Sequence, residues 1–285
     1  MSITLRQLSD VDLSIAEAIM QAAYGYSTPQ QRNLARYLSL QPDGWLLACL
    51  DQRPVGVGGV INYGSFAYLG SMSVLPTVQR QGIGRALLQA FLNWLDEWGC
   101  PTVLLDASSA GADLYKKFAF VPEGEVAQWR RQADLSTVEL ETFSPGITSF
   151  QLKDLPAVTA FDAAYFGAGR AAVLAAYLRE YPERALIHRT PEGKISGYLI
   201  AQKSIIGPWL AENPEDAERL LQSALAFPYT QAPMISAPTE NKAATSLLTC
   251  YGFQIERTLL HMRRGEPAIL RDRSSMYGQT NYTLG

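Results

Sequence analysis

The chain has 285 residues, room for about two domains at ~150 residues each. It is 47% hydrophobic and 18% charged, an ordinary globular composition that argues against wholesale disorder. A net charge of −3 and a pI near 5.5 lack the basic excess with which proteins grip phosphate backbones, so nucleic-acid binding is not expected. Cys49, Cys100 and Cys250 are far apart and odd in number. They suggest neither a disulfide framework nor a zinc site, and they fit a reducing compartment. With His188 and His261 as the only histidines, no multi-histidine metal centre is expected. The chain begins without a basic stretch leading into an apolar core, and no run of about 18 apolar residues occurs. The expected address is the cytoplasm, without membrane contact.

Taken in order, residues 3–6 read as a strand, and Asp10 or Asp12 can cap a helix that ends near Gly25. A more polar helix is predicted over 29–39, then strands over 45–50 and 55–61 joined by a turn at 51–54. A strand over 68–74 closes at Pro76. A helix over 82–98 follows, with Ile83, Ala86, Leu87, Ala90, Phe91, Trp94 and Leu95 at helical spacing and Gly99 as its end. A strand over 103–105, a helix over 110–118 and two strands over 119–125 and 128–133 complete the first half. Ser144-Pro145-Gly146 reads as a linker. The second half repeats the order, with helices over 155–166 and 170–179 and strands over 185–189 and 195–206. A helix over 214–226, a strand over 233–236, a helix over 241–250 and a strand over 253–263 follow. At a shift of 133, Leu87-Leu88-Gln89 falls on Leu220-Leu221-Gln222 and Tyr115–Phe120 on Leu248–Phe253, the mark of a duplicated fold.

The stretch that carries chemistry runs from strand Leu69–Val74 through a short loop to the helix start at Gly82-Ile83-Gly84-Arg85. The first N–H groups of a helix lack internal partners and sit at its positive end. Gly82 and Gly84 leave those amides open to an anion, Arg80 and Arg85 add charge, and Gln79 can fasten the loop. No Walker loop is present, and Gly82-x-Gly84 is followed by Leu87 rather than the third glycine of a dinucleotide fingerprint.

The pattern V-x-P-x-x-Q-x-x-G-x-G-x-x-L after a strand resembles the acetyl-CoA pyrophosphate loop of the GNAT acetyltransferase superfamily. Gln79, Gly82 and Gly84 match that family's [RQ]-x-x-G-x-[GA] signature, with Arg80, Gln81, Ile83 and Arg85 in the same loop. The resemblance implies that main-chain amides of Met72, Ser73 and Val74 line the thioester. Leu104–Ser108 followed by Leu114-Tyr115 resembles the family's splayed strand and helix, which admit the pantetheine arm. Tyr115 stands where many members carry a tyrosine that protonates the departing thiolate. Ala119 replaces a usual Gly, and Ser108 a frequent Asn at the cofactor arm. The general base is left open. Asp106 reads as that base or as a structural hydrogen-bonding residue, Glu123 is a second acid, and Ser73 or Ser108 can hold a water. His188 and His261 read as surface or partly buried residues.

At the same shift of 133, Gln79, Gly82, Gly84, Arg85 and Tyr115 fall on Glu212, Glu215, Ala217, Glu218 and Leu248. Carboxylates repel a pyrophosphate and leucine has no proton to give, so the second half reads as a GNAT-like unit without cofactor chemistry. Phe166–Arg170, Ile206–Trp209 and Leu284-Gly285 resemble a double-GNAT subgroup.

The expected fold is α/β (α+β): two tandem GNAT-like domains, each a mixed, mostly antiparallel sheet flanked by helices. Residues 1–143 form the catalytic domain, and 147–285 a degenerate one that walls the acceptor pocket through Trp209, Tyr165, Phe166 and Arg170. The resemblance implies an N-acetyltransferase that moves acetyl from acetyl-CoA to a primary amine, without a metal. A non-catalytic acyl-CoA sensor or interaction protein is the alternative. A small metabolite, a peptide N-terminus, a lysine side chain or an aminoglycoside-like amine all remain open as acceptor, as does monomer or homodimer.

Overall fold

Apolar residues at helical and alternating spacing build the same succession of elements twice. The computed structural model describes residues 2–25, 29–132, 145–267 and 272–285. The first series is β1 (Ile3–Gln7), α1 (Leu13–Tyr24), α2 (Gln31–Leu40), β2 (Trp45–Leu50), β3 (Arg53–Asn62) and β4 (Ala67–Val74). It continues through α3 (Ile83–Glu97), β5 (Thr102–Ala107), α4 (Ser109–Lys116) and β6 (Val121–Arg131). The second is β7 (Ile147–Ser149), α5 (Leu155–Phe166), α6 (Ala171–Glu180), β8 (Ala185–Arg189), β9 (Ile195–Ala201) and β10 (Ile206–Ala211). It continues through α7 (Pro214–Leu225), β11 (Met234–Pro238), α8 (Lys242–Cys250), β12 (Phe253–Gly265) and a short extra strand, β13 (Met276–Gly278). Ser144, the first residue of the expected linker, lies outside the described residues.

A local device recurs at the head of each series. Asp12 accepts from the Ser9 amide at 3.1 Å and pairs with Arg6 at 2.6 Å. Asp154 accepts from the Gln151 amide at 3.0 Å and pairs with Arg189 at 2.9 Å. Each acid satisfies a donor ahead of its helix and ties that helix to a strand. Asp12 is held well below the usual carboxylate range, first by its bond to Arg6.

Three sequence expectations change. The strands expected over 119–125 and 128–133 are one strand, β6, because Gly124 continues the ladder with β12 instead of turning. The strand expected over 195–206 is β9 and the start of β10, broken by a polar turn in which the Gln202 amide donates to the Ile205 carbonyl at 2.7 Å. β7 and β13, three residues each, are too short for periodicity to reveal.

The chain divides into two compact units. One is Met1–Leu105 with Arg264–Glu266 and Leu284; the other is Asp106–Arg263 with Pro267–Thr283 and Gly285. In the first, β1 to β4 are antiparallel neighbours and β5 runs parallel to β4. Helices α1 and α3 pack on β3 and β4, burying Ala16, Ile19, Met20, Ile83, Leu87 and Phe91. The end of β12 belongs to this unit: the Glu266 amide donates to the Pro101 carbonyl at 3.2 Å, and the Thr102 hydroxyl to the Glu266 carbonyl at 2.6 Å.

In the second unit, β6 lies between β12 and β11 and pairs with both. A second sheet has the order β13-β10-β9-β8-β7, all antiparallel. Its core gathers Trp129, Leu199, Trp209, Leu220, Ile235 and Phe253. The final strand of the first series thus finds both neighbours in the second series.

A fragment of residues 1–143 leaves β6 without either neighbour and exposes Val126, Ala127 and Trp129, which are buried in the whole chain. We expect it to show no cooperative thermal transition by circular dichroism. A soluble, cooperatively unfolding fragment would show that β6 has another partner.

Candidate active site

In the first unit the decisive feature is the middle of β4. Val57 and Gly59 of β3 pair with Ser73 and Gly70, so Ser71 and Met72 together oppose Gly58. This is a β-bulge, with Ser71 left-handed at φ +55°. Gly58 is required there, since a Cβ would sit 2.6 Å from Met72 Sδ and 3.1 Å from the Phe91 ring. Ser73, itself buried, donates its hydroxyl to the Ser71 carbonyl at 3.0 Å.

Beyond the bulge the strand is regular, and the Leu75 amide donates to the Val55 carbonyl at 2.9 Å. Main-chain groups alternate sides along a strand. The peptide groups of Leu75 and Ser73 therefore face β3, while the Met72 carbonyl and the Val74 amide and carbonyl face the opposite edge. Pairing with β5 covers only Ala67 and Tyr68 on that edge, so the two strands diverge before Met72. Side chains take the two carbonyls there: the Tyr24 hydroxyl donates to Met72 at 2.6 Å and Gln79 Nε2 donates to Val74 at 3.1 Å. The edge that remains presents the Val74 N–H.

The loop over 75–82 leads from this edge to α3. Arg80 and Gly82 are both left-handed, at φ +62° and +88°. Gly82 is the N-cap and makes no side-chain cap bond; a Cβ there would meet only Ile3 Cδ1, at 3.8 Å. The first helical bond runs from the Ala86 amide to the Gly82 carbonyl at 2.9 Å, so the amides of Ile83, Gly84 and Arg85 precede it. Gln79, Arg80, Gln81, Gly82 and Arg85 are exposed, whereas the Ile83 side chain is buried and contributes its amide alone. Open amides, a positive helix end and two cations fit an anionic phosphate group.

The second series lacks this arrangement. Leu13 and Leu155, which open α1 and α5, lie 142 apart, but Ser109 and Lys242, which open α4 and α8, lie 133 apart. Most of the difference falls between strand and helix, where residues 75–82 link β4 to α3 and only 212–213 link β10 to α7. Glu212 and Glu215 therefore do not replace Gln79 and Gly82 in a retained loop; most of the loop is absent. Helix α7 is closed by its own residues, since the Asn213 side chain accepts from the Asp216 amide at 2.9 Å and Pro214 stands in the first turn. The gap between β10 and β11 is filled as well. β13 pairs with β10, Tyr277 packs on Trp209 with ring centroids 5.0 Å apart, and the Gln279 amide donates to the Ser236 carbonyl of β11 at 2.8 Å.

The other expected site residues lie in the second unit. Tyr115 is on α4, mostly buried and edge-on to Phe120 at 5.7 Å. Ser108 is the extended N-cap of that helix. Asp106 has a fully buried carboxylate that accepts from His261 Nδ1 at 2.8 Å and Gln279 Nε2 at 3.1 Å, and so joins β5, β12 and the end of the chain. Glu123 is paired with Arg263.

Trp209 is fully buried in the core of its sheet, and Phe166 is equally buried. Arg170 is buried. It makes a two-pronged pair with buried Asp162 at 2.8 and 2.9 Å, donates to Tyr198, Thr280 and the Gly285 main-chain oxygen, and stacks on Phe166. Of the expected acceptor residues only Tyr165 is partly exposed; it donates to Glu212 at 3.2 Å. Burial foremost, with Glu212 beside it, pushes its phenol up to about 12.

Both histidines prove buried. His188 lies against Ser196 and Asp216, with its pKa lowered chiefly by burial. Tyr24, Ser71 and Gly58 were not expected in the site. Of these only Gly58 left a sequence signal, a glycine inside a strand. Among the described residues no group of three or more His, Cys, Asp or Glu is placed to hold a metal, and no helix is long and apolar enough to cross a membrane.

Comparison with known proteins identifies the family. A profile for the acetyltransferase (GNAT) family matches residues 13–120, and one for an acetyltransferase (GNAT) domain matches 158–278. The chain belongs to the GNAT acetyltransferase family and carries two such domains in tandem. An uncharacterised N-acetyltransferase of Bacillus subtilis, YitH, is 27% identical over 201 residues, 68% of each chain. The crystal structure of a candidate acetyltransferase from Pyrococcus horikoshii is 28% identical with a TM-score of 0.86, covering 99% of this chain and 96% of that one. A tandem GNAT protein from the clavulanic acid biosynthesis pathway shares the fold at 12% identity and a TM-score of 0.63, over 93% and 98% of the chains.

Arg170→Met removes the partner of a buried carboxylate. We expect a loss of about 3–5 kcal/mol in urea unfolding. Wild-type stability in this variant would remove Arg170 from the core.

Proposed function

We propose that the protein is an acetyl-CoA-dependent N-acetyltransferase acting on a primary amine, with residues 1–143 as the catalytic domain and 147–285 assigned to acceptor specificity. The observation that carries this reading is a contrast within one chain. The first series keeps an open, glycine-capped helix start beside a diverging strand edge, while the second closes both with its own residues.

The amides that open α3, with Arg80 and Arg85, hold the pyrophosphate, and Gln79 keeps the loop against Val74. Bound acetyl-CoA supplies an activated acetyl thioester. The Val74 N–H of the β4 edge faces its carbonyl and stabilises the negative charge that builds there as the amine attacks. Tyr115 protonates the departing sulfur, and its position in the family motif supports that role. Both oxygens of Asp106 are engaged by His261 and Gln279, so it anchors the end of β5, and the proton of the amine passes to water. The acceptor is the amine of a small molecule or peptide, and Tyr165 is the residue of the second domain kept for its recognition. One active site per chain follows.

Titration calorimetry tests the reading, with an expected stoichiometry of one acetyl-CoA per chain. Thiol release over a panel of amines then detects transfer; binding with no release on any amine favours a sensor. Gly82→Glu puts a carboxylate at the open helix end, and acetyl-CoA binding is expected to vanish; unchanged affinity would refute the loop assignment. Tyr115→Phe is expected to lower kcat by about 10²-fold or more with little change in KM, and normal turnover would remove Tyr115 from the mechanism.

A further inference from the structure

Helix α1 ends at Tyr24, where left-handed Gly25 stops it and the Gly25 amide returns to the Gln21 carbonyl at 2.8 Å. This helix packs on β3 and β4. Tyr24 is 39% exposed, yet its hydroxyl makes a specific bond, 2.6 Å to the Met72 carbonyl. That carbonyl belongs to the bulge. A bulge interrupts the ladder that would otherwise orient each peptide, so other groups must fix its direction. Two hydroxyls do so here: Ser73 holds the Ser71 carbonyl from inside, and Tyr24 holds the Met72 carbonyl from the open edge.

The peptide that Tyr24 grips is followed directly by the one that carries the Val74 amide. Its tilt therefore sets the tilt of that donor. The Tyr24 hydroxyl and the Val74 amide also share one edge of β4, on the side where β5 has diverged.

We propose that Tyr24 is a positioning residue for acetyl transfer: it clamps the bulged peptide of β4 so that the neighbouring amide points at the thioester carbonyl. This rests on the reading of the chain as an acetyl-CoA-dependent enzyme. Tyr24 takes no proton and touches no bond that changes. The loss of its hydroxyl alters the polarisation of the donor carbonyl without altering the phosphate grip.

The test is Tyr24→Phe in the full chain, read by isotope-edited infrared spectroscopy of bound [1-¹³C]acetyl-CoA. In the wild type the carbonyl band is expected below its position in free acetyl-CoA. In the variant it moves back toward that position, while acetyl-CoA affinity stays within about twofold and the melting temperature is unchanged. With an accepted amine, kcat falls on the order of tenfold, less than removal of a direct oxyanion donor costs. A merely structural tyrosine would lower the melting temperature and leave the band in place. An unshifted band on going to Tyr24→Phe, or a wild-type band equal to that of free acetyl-CoA, overturns the proposal while acetyl-CoA binding itself stands. Failure of the wild type to bind acetyl-CoA overturns the functional reading, and this proposal with it.

Discussion

Backbone N–H and C=O groups away from water need partners, and β4 meets that demand in an unusual way. Its pairing with β5 stops at Tyr68, which leaves the following peptides without a strand on one side. A second strand would satisfy them fully but would fill the space. Instead two side chains, Tyr24 from helix α1 and Gln79 from the adjoining loop, donate to the carbonyls and leave the edge open. The glycine at 58, the bulge at 71–72, the loop over 75–82 and the glycine start of α3 all serve this one opening.

The second series shows the other solution to the same constraint. Its corresponding strand, β10, receives β13 along the edge, and Gln279 reaches across to β11. Its helix start is capped by Asn213 rather than left to a ligand. The scaffold residues persist: Asn241 still caps α8 by accepting from the Ala244 amide, and Ala217 and Leu248 sit in the core. Loss of a ligand site here consists of closure from within, not of charge reversal in a loop that is otherwise retained.

Much of this was legible in the residues. The helical spacing of α3 marks that helix, and Gln79, Gly82 and Gly84 mark its phosphate-binding start, because both signals are local. The duplication also shows, although one shift of 133 describes only the later half of each series. What stayed hidden depends on contacts between positions far apart in the chain. Asp106 offers no sign of His261 and Gln279, nor Arg170 of Asp162 across an intervening turn. Trp209 in a short strand looks the same whether it lines a cavity or fills a core. Tyr24 at a helix end has no pattern at all, because its role is set by a bulge 48 residues away.

The placement of β6 between β12 and β11 has a consequence for how the chain comes into being. On the ribosome β6 is made before residues 234–265, the segment that will hold it. Until that segment emerges, a strand carrying Val126, Ala127 and Trp129 waits with both edges unpaired, a state prone to wrong partners. Long-range pairing of this kind is slow to form. Synthesis through residue 265 is thus a condition for β6 to find both its neighbours, and the first series is completed only with strands of the second.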